Sequence, residues 1–156
     1  MTQEDKELLL IDLCARSPYN VKCKVHLDTK GYCLRDEDKY CDDILESVNY
    51  KKQTCTFNKS IGYNFGHFAV EDVRPYLRPM SSMTEDEKIQ YRELCDEDIR
   101  QLTYVQTVHP GLKDKTSCHR SIDWLNKKMF DYRKDDEGKT MIEKGLAIEA
   151  PEGIYK

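Results

Sequence analysis

Between Arg74 and Ser82 the chain reads RPYLRPMSS. Arg74, Tyr76 and Arg78 recur at every second residue, and Ser81 and Ser82 follow. Two guanidiniums, one ring and two hydroxyl donors are the groups that cradle a small anionic ligand such as a nucleotide. Guanidinium forks match phosphate oxygens, and a ring stacks on a base. The plainer reading is a rigid joint, and it is preferred. Pro75 and Pro79 lack the N–H that a ladder or helix needs, so they predict a tight connector between a sheet and the helices after it. Tyr76 and Leu77 then turn inward, while Arg74 and Arg78 stay near solvent beside carboxylates.

A second group, Asp123, Trp124, Tyr132 and Arg133, has the composition of an interaction surface. Its plainer reading makes Trp124 a core plug between helix and sheet. Nucleophilic chemistry has one suggestive pair, Cys118 and His119, but adjacent side chains rarely align as nucleophile and base, and no oxyanion motif accompanies them. His26, His67 and His109 are scattered. No phosphate-cradling glycine loop, nucleophile elbow or zinc-protease motif occurs. The expectation is a protein without catalytic residues, resident metal or cofactor.

The 156 residues carry 35% charged and 38% apolar side chains, with a net charge of −4. That balance argues against broad nucleic-acid binding, which needs an extended basic surface, but leaves room for a local basic patch. MTQEDKELLL lacks the basic start and apolar centre of a secretion signal, and no apolar run is long enough to span a bilayer. A cytoplasmic protein without membrane attachment is expected. Seven cysteines, an odd number without any C-x-x-C pair, then read as free thiols.

The elements that position these residues follow from periodicity. Thr2 with Asp5 makes a helix start, an apolar surface runs through Leu8, Leu9, Leu10, Ile11, Leu13 and Cys14, and Ser17-Pro18 ends it. VKCKVHL alternates Val21, Cys23, Val25 and Leu27 with Lys22, Lys24 and His26. This predicts a half-buried strand with one wet, basic face. DTKG reads as a turn and YCLR as a return strand. DDILESVNY fits a strand or a helical turn, whereas TCTFN and YNFGHFAV read as strands. Thr84 with Glu87 starts a helix at Glu85 whose buried stripe is Leu94, Cys95, Ile99 and Leu102, with a break expected near Asp96. TVHPGLKDKTS is a loop. A further helix is expected over Cys118–Tyr132, with Ile122, Leu125, Met129 and Tyr132 on one face. RKDDEGK is an exposed loop, and MIEKGLAIEAP packs back on the core.

The predicted fold is therefore α+β: an N-terminal helix, a small antiparallel sheet or barrel, and C-terminal helices packed on it. Residues 1–80 form the helix and sheet, and 81–156 the helical part, packed as one unit.

The segments KELLLIDLCARSPYNVKCKV, VRPYLRPMSSMTEDEKIQY, SIDWLNKKMFDYR and MIEKGLAIEAPEGIY resemble a family of short uncharacterised proteins of Bacteroides and related gut bacteria and their phages. They cover roughly half the chain, and members differ most across Gly31 to His67. The resemblance implies a gut-bacterial or phage setting and brings no catalytic residues. The strands ending in FAVEDVRPYL also look like the close of an SH3-like barrel, a fold that implies binding of peptides, proteins or nucleic acid. Together these point to a binding protein that docks on or inhibits a host protein. The alternative is a counter-defence protein that sequesters a small anionic nucleotide without cleaving it.

All seven cysteines are expected to be thiols in the native protein. Alkylation of denatured, unreduced protein should add seven labels by mass, and a missing pair would reveal a disulfide.

Overall fold

Thr2 caps the first helix as its sequence predicts. Its hydroxyl accepts from the Asp5 N–H at 3.1 Å, and the Asp5 carboxylate accepts from the Thr2 N–H at 3.2 Å. The resulting helix, α1, is Gln3–Arg16, followed by one 3₁₀ turn over Ser17–Tyr19. The computed structural model describes residues 1–27, 39–58, 67–108 and 119–155. The expected turn DTKG (28–31), the return strand YCLR (32–35), the first half of the strand YNFGHFAV (63–66), most of the loop TVHPGLKDKTS and Cys118 lie outside them.

Among the described residues seven strands follow α1: β1 (Lys22–His26), β2 (Tyr40–Asn49), β3 (Thr54–Phe57), β4 (Phe68–Ala69), β5 (Val73–Pro79), β6 (Phe130–Asp131) and β7 (Ile148–Glu149). Two further helices, α2 (Glu85–Val108) and α3 (Arg120–Lys127), separate β5 from β6. The sheet order is β4-β3-β2-β1-β5-β6, with β7 also paired to β5. The pairs from β4 to β5 are antiparallel, and β6 and β7 join β5 in parallel. The arrangement is α+β, with an open, mixed sheet. Among the described residues it does not close into a barrel, because β5 pairs with β6 and β7 from the C-terminal half and not with β4.

The RPYL segment is a strand, not a connector. Leu77 turns its carbonyl to Ala150 N–H at 2.8 Å. Backbone groups alternate along a strand, so Pro75 directs its missing N–H toward that same edge and away from β1. No ladder bond to β1 is lost, and the proline is tolerated there. DDILESVNY, which fitted two elements, is strand β2, with a bulge between Leu45 and Ser47.

The main core lies between α1 and one sheet face. Leu9, Leu10 and Leu13 meet Val21, Cys23, Val25, Leu45 and Leu77, and Met141, Leu146 and Ala147 fold back onto them. A smaller cluster joins Met83, Leu125 and Phe130, with Tyr91, Ile122 and Trp124 packed around it. The helix expected over Cys118–Tyr132 is shorter. It stops at Lys127, and Met129 takes a left-handed backbone at φ 60. That turn sends Met129 into the main core, whereas Leu125 stays in the smaller cluster. The four residues predicted for one helical face are therefore divided.

Two charged residues sit inside the core. Asp12 and Arg16 are both fully buried, one helical turn apart on α1. Arg16 Nε donates to Asp12 Oδ2 at 2.8 Å, and its Nη2 donates to the Phe130 carbonyl at 2.8 Å. Arg133 Nε donates to the other Asp12 oxygen at 3.1 Å. The Tyr132 ring has the Arg16 guanidinium carbon 5.6 Å and the Arg133 carbon 5.1 Å from its centroid. Nearby, the buried Asp131 carboxylate accepts the Met141 and Ile142 N–H groups at 3.2 and 2.9 Å. Burial pushes its carboxyl above the usual range even so. Lys144 bridges Asp5 and Asp135, 2.7 Å from each, and holds the Asp5 carboxyl down to about 2.

Replacing Asp12 by Ala strands a buried guanidinium and should cost about 3–5 kcal/mol in urea denaturation. Asp12→Leu combined with Arg16→Met should lose less than Asp12→Ala alone, because the fully buried guanidinium is then gone and only the partly exposed Arg133 loses its partner.

Candidate functional site

The alternation of β5 puts Val73 and Leu77 into the core and Arg74, Tyr76 and Arg78 on the opposite face. Arg78 forks onto Glu87, with Nη1 to Oε1 at 2.9 Å and Nη2 to Oε2 at 2.8 Å. Its guanidinium lies 4.2 Å from the Phe130 ring centroid, and Nη2 also reaches the Ser82 carbonyl at 3.3 Å. Glu87 in turn closes the capping box that starts α2: Thr84 N–H donates to Oε2 at 3.1 Å, and Glu87 N–H donates to Thr84 Oγ1 at 3.2 Å. The Arg78 fork holds the Glu87 carboxyl down to about 2. One side chain thus pins strand, helix start and aromatic cluster together.

Arg74 is used differently. Its Nε donates to the Gly145 carbonyl at 3.0 Å, and its Nη1 to the carbonyls of Glu71 and Val73 at 2.8 Å each. Tyr76 is buried, with its hydroxyl donating to Asp42 at 2.7 Å. Burial, then that carboxylate, pushes the phenol up to about 12. Ser81 and Ser82 are exposed. Four residues of strand separate Arg74 from Arg78, roughly 13 Å, and their guanidiniums hold different internal partners.

The second predicted group is also spent on structure. The Tyr19 hydroxyl donates to the Asp123 carboxylate. Trp124 stacks between Tyr91 and Phe130, with ring centroids 5.9 and 5.8 Å away. The Tyr132 hydroxyl donates to Asn126 at 2.9 Å, and Arg133 holds Asp12. The four residues surround the join between α1, α3 and β6 and do not line one open patch. Burial pushes the Cys41 thiol up to about 11 and the Cys55 thiol up to about 12, so neither is a ready nucleophile.

Sequence reasoning missed what α2 leaves open. The helix runs unbroken for 24 residues without a buried one. Asp98 explains where its support ends: its carboxylate caps α3, accepting from Arg120 N–H, Ser121 N–H and Ser121 Oγ at 3.1, 2.9 and 2.6 Å. Beyond it Ile99 is 61% and Leu102 44% exposed, so the expected buried stripe is half-buried only at Leu94 and Cys95. Tyr104 at 64% and Val108 at 46% extend the apolar exposure. Thr103 and Thr107 donate back to the carbonyls of Ile99 and Thr103. The signal was available in the sequence, because only Arg100 is charged from 99 to 108.

The paired state of Glu87 makes a pH test. Its carboxyl falls from 4.5 to about 2 on folding, so the pairing stabilises fully above pH 4.5 and is lost as pH falls toward 2. Urea midpoints of Glu87→Gln should sit below those of the parent at neutral pH and converge on them through that window. Thr84→Ala should cost about 1 kcal/mol as a lost cap.

No family model matches this chain, and no match is found among curated proteins or solved structures.

Proposed function

We propose that this protein is a non-enzymatic interaction module that captures a protein partner on the free half of α2. The observation that carries the reading is the exposure of Ile99, Leu102, Tyr104 and Val108 beyond the Asp98 clasp. Side chains of this size gain about 1.5–3 kcal/mol each when fully buried. Ile99 and Leu102, at i and i+3, share one face, the spacing with which an amphipathic helix is laid into an apolar groove, while Tyr104 and Val108 lie on the opposite side. Exposed Glu93 and Asp96, one to two turns earlier, favour a groove with a basic rim on that side. The partner in this reading is a host protein of the bacterial or phage setting that the sequence resemblance implies.

Sequestration of an anionic nucleotide at Arg74–Ser82 has less behind it. Arg78 is neutralised by Glu87, and Arg74 has Nε and Nη1 on carbonyls, so the two guanidiniums do not converge on one anion. Among the described residues no helix is long and apolar enough to cross a membrane.

Ile99→Glu with Leu102→Glu should leave the denaturation midpoint near the parent value, since both residues are exposed. The same change should abolish binding to a partner identified by affinity capture and then purified, measured by calorimetry. Equal affinity of parent and variant for that partner would place the binding surface elsewhere.

A further inference from the structure

The wet face of VKCKVHL is absorbed by neither the joint nor α2. Cys23 and Val25 enter the core beneath α1, so alternation turns Lys22, Lys24 and His26 to the other side of the sheet. The register sets their neighbours. Lys22 pairs with Ile44, Lys24 with Asp42 and His26 with Tyr40 on β2, and Lys24 pairs with Arg74 on β5. Tyr40 is 52% exposed. Its ring stacks on His26 at 4.8 Å and 26°, and Lys24 Nζ lies 5.1 Å from the ring centroid. The three bonds that Arg74 makes to carbonyls use Nε and Nη1 only.

We propose that this sheet face binds a nucleoside phosphate, with the base stacked on Tyr40 and the phosphate held by Lys22, Lys24 and Arg74. Three fixed cations share the face with Asp42, which the Tyr76 hydroxyl engages, and with Asp72 at its margin. The rest of the chain is more acidic, with a net charge of −4 overall, so an anion is drawn to this side. Ile44 is the one aliphatic residue in the three paired rows, so these rows offer little to an apolar peptide anchor. A ring beside cations on an open sheet is instead the arrangement on which single-stranded bases stack. Three strands and five residues span roughly 10 by 13 Å, the footprint of one or two nucleotides. The inference is independent of the α2 reading and uses none of its residues.

The test is fluorescence anisotropy with labelled single strands of about ten nucleotides, in RNA and DNA forms. It is paired with calorimetric titration of adenosine monophosphate and of inorganic phosphate. Nucleoside phosphate should bind more tightly than phosphate alone. Tyr40→Ala and Lys24→Gln should each weaken binding about tenfold, the loss of one stacked base or one phosphate contact. Tyr40→Trp should retain it, and denaturation midpoints should stay near the parent value. Equal affinity per nucleotide for monophosphate and strand identifies a free nucleotide as the ligand. Strand binding alone, falling with salt at a log–log slope of about −2 for three contacts, identifies single-stranded nucleic acid. No binding of any nucleoside phosphate at about 1 mM overturns the proposal. So does phosphate binding as tightly as nucleotide, or Tyr40→Ala binding as the parent does.

Discussion

Arg16 heads the fully buried side chains among the described residues, and it is charged. A guanidinium inside a core needs its charge met, and here Nε and Nη2 are hydrogen-bonded while the buried Nη1 is not. Asp12 meets the charge from one turn earlier on the same helix, and the Phe130 carbonyl takes a second N–H. Asp12 then reaches with its other oxygen to Arg133. Through these contacts the angle of α1, the end of α3 and the course of β6 are one problem with one solution. The left-handed turn at Met129 belongs to it, because that turn brings Phe130 beside α1.

β5 is the second organising element, and it works through its two faces. The inner face supplies Val73 and Leu77 to the core. The outer face spends Arg74, Tyr76 and Arg78 on three separate tasks: a loop carbonyl, a neighbouring strand and the start of α2. Its edges take β1 on one segment and β6 and β7 on the next. The two halves of the chain are therefore joined by backbone ladders as well as by side chains.

Two surfaces differ in the force they offer. The exposed half of α2 carries one charge from 99 to 108, so the association proposed there would be driven by excluding water and depend little on salt. The outer face of β1 and β2 is cationic and aromatic, so association there weakens as salt rises.

Much of this was written locally. The capping boxes Thr2–Asp5 and Thr84–Glu87, the strand over VKCKVHL and the return of Met141 to Ala147 onto the core each rest on patterns within a few residues. The α+β class follows from their order. The wet basic face of β1 was legible too, since alternation alone defines it. Partners distant in sequence were not. Nothing near Tyr76 announces that its hydroxyl is taken by Asp42, or near Pro75 that its missing N–H faces away from β1. The break expected at Asp96 and the helix expected through Tyr132 failed for one reason: periodicity records which residues prefer burial, and packing decides which obtain it. α3 gave Asp98 a cap to make and left Ile99 and Leu102 in water, while the turn at Met129 divided a stripe between two cores. The sequence by itself determined the elements and their polarity. The tertiary structure alone decided which charges are paired, which apolar residues remain free, and so where this protein has surface left to bind.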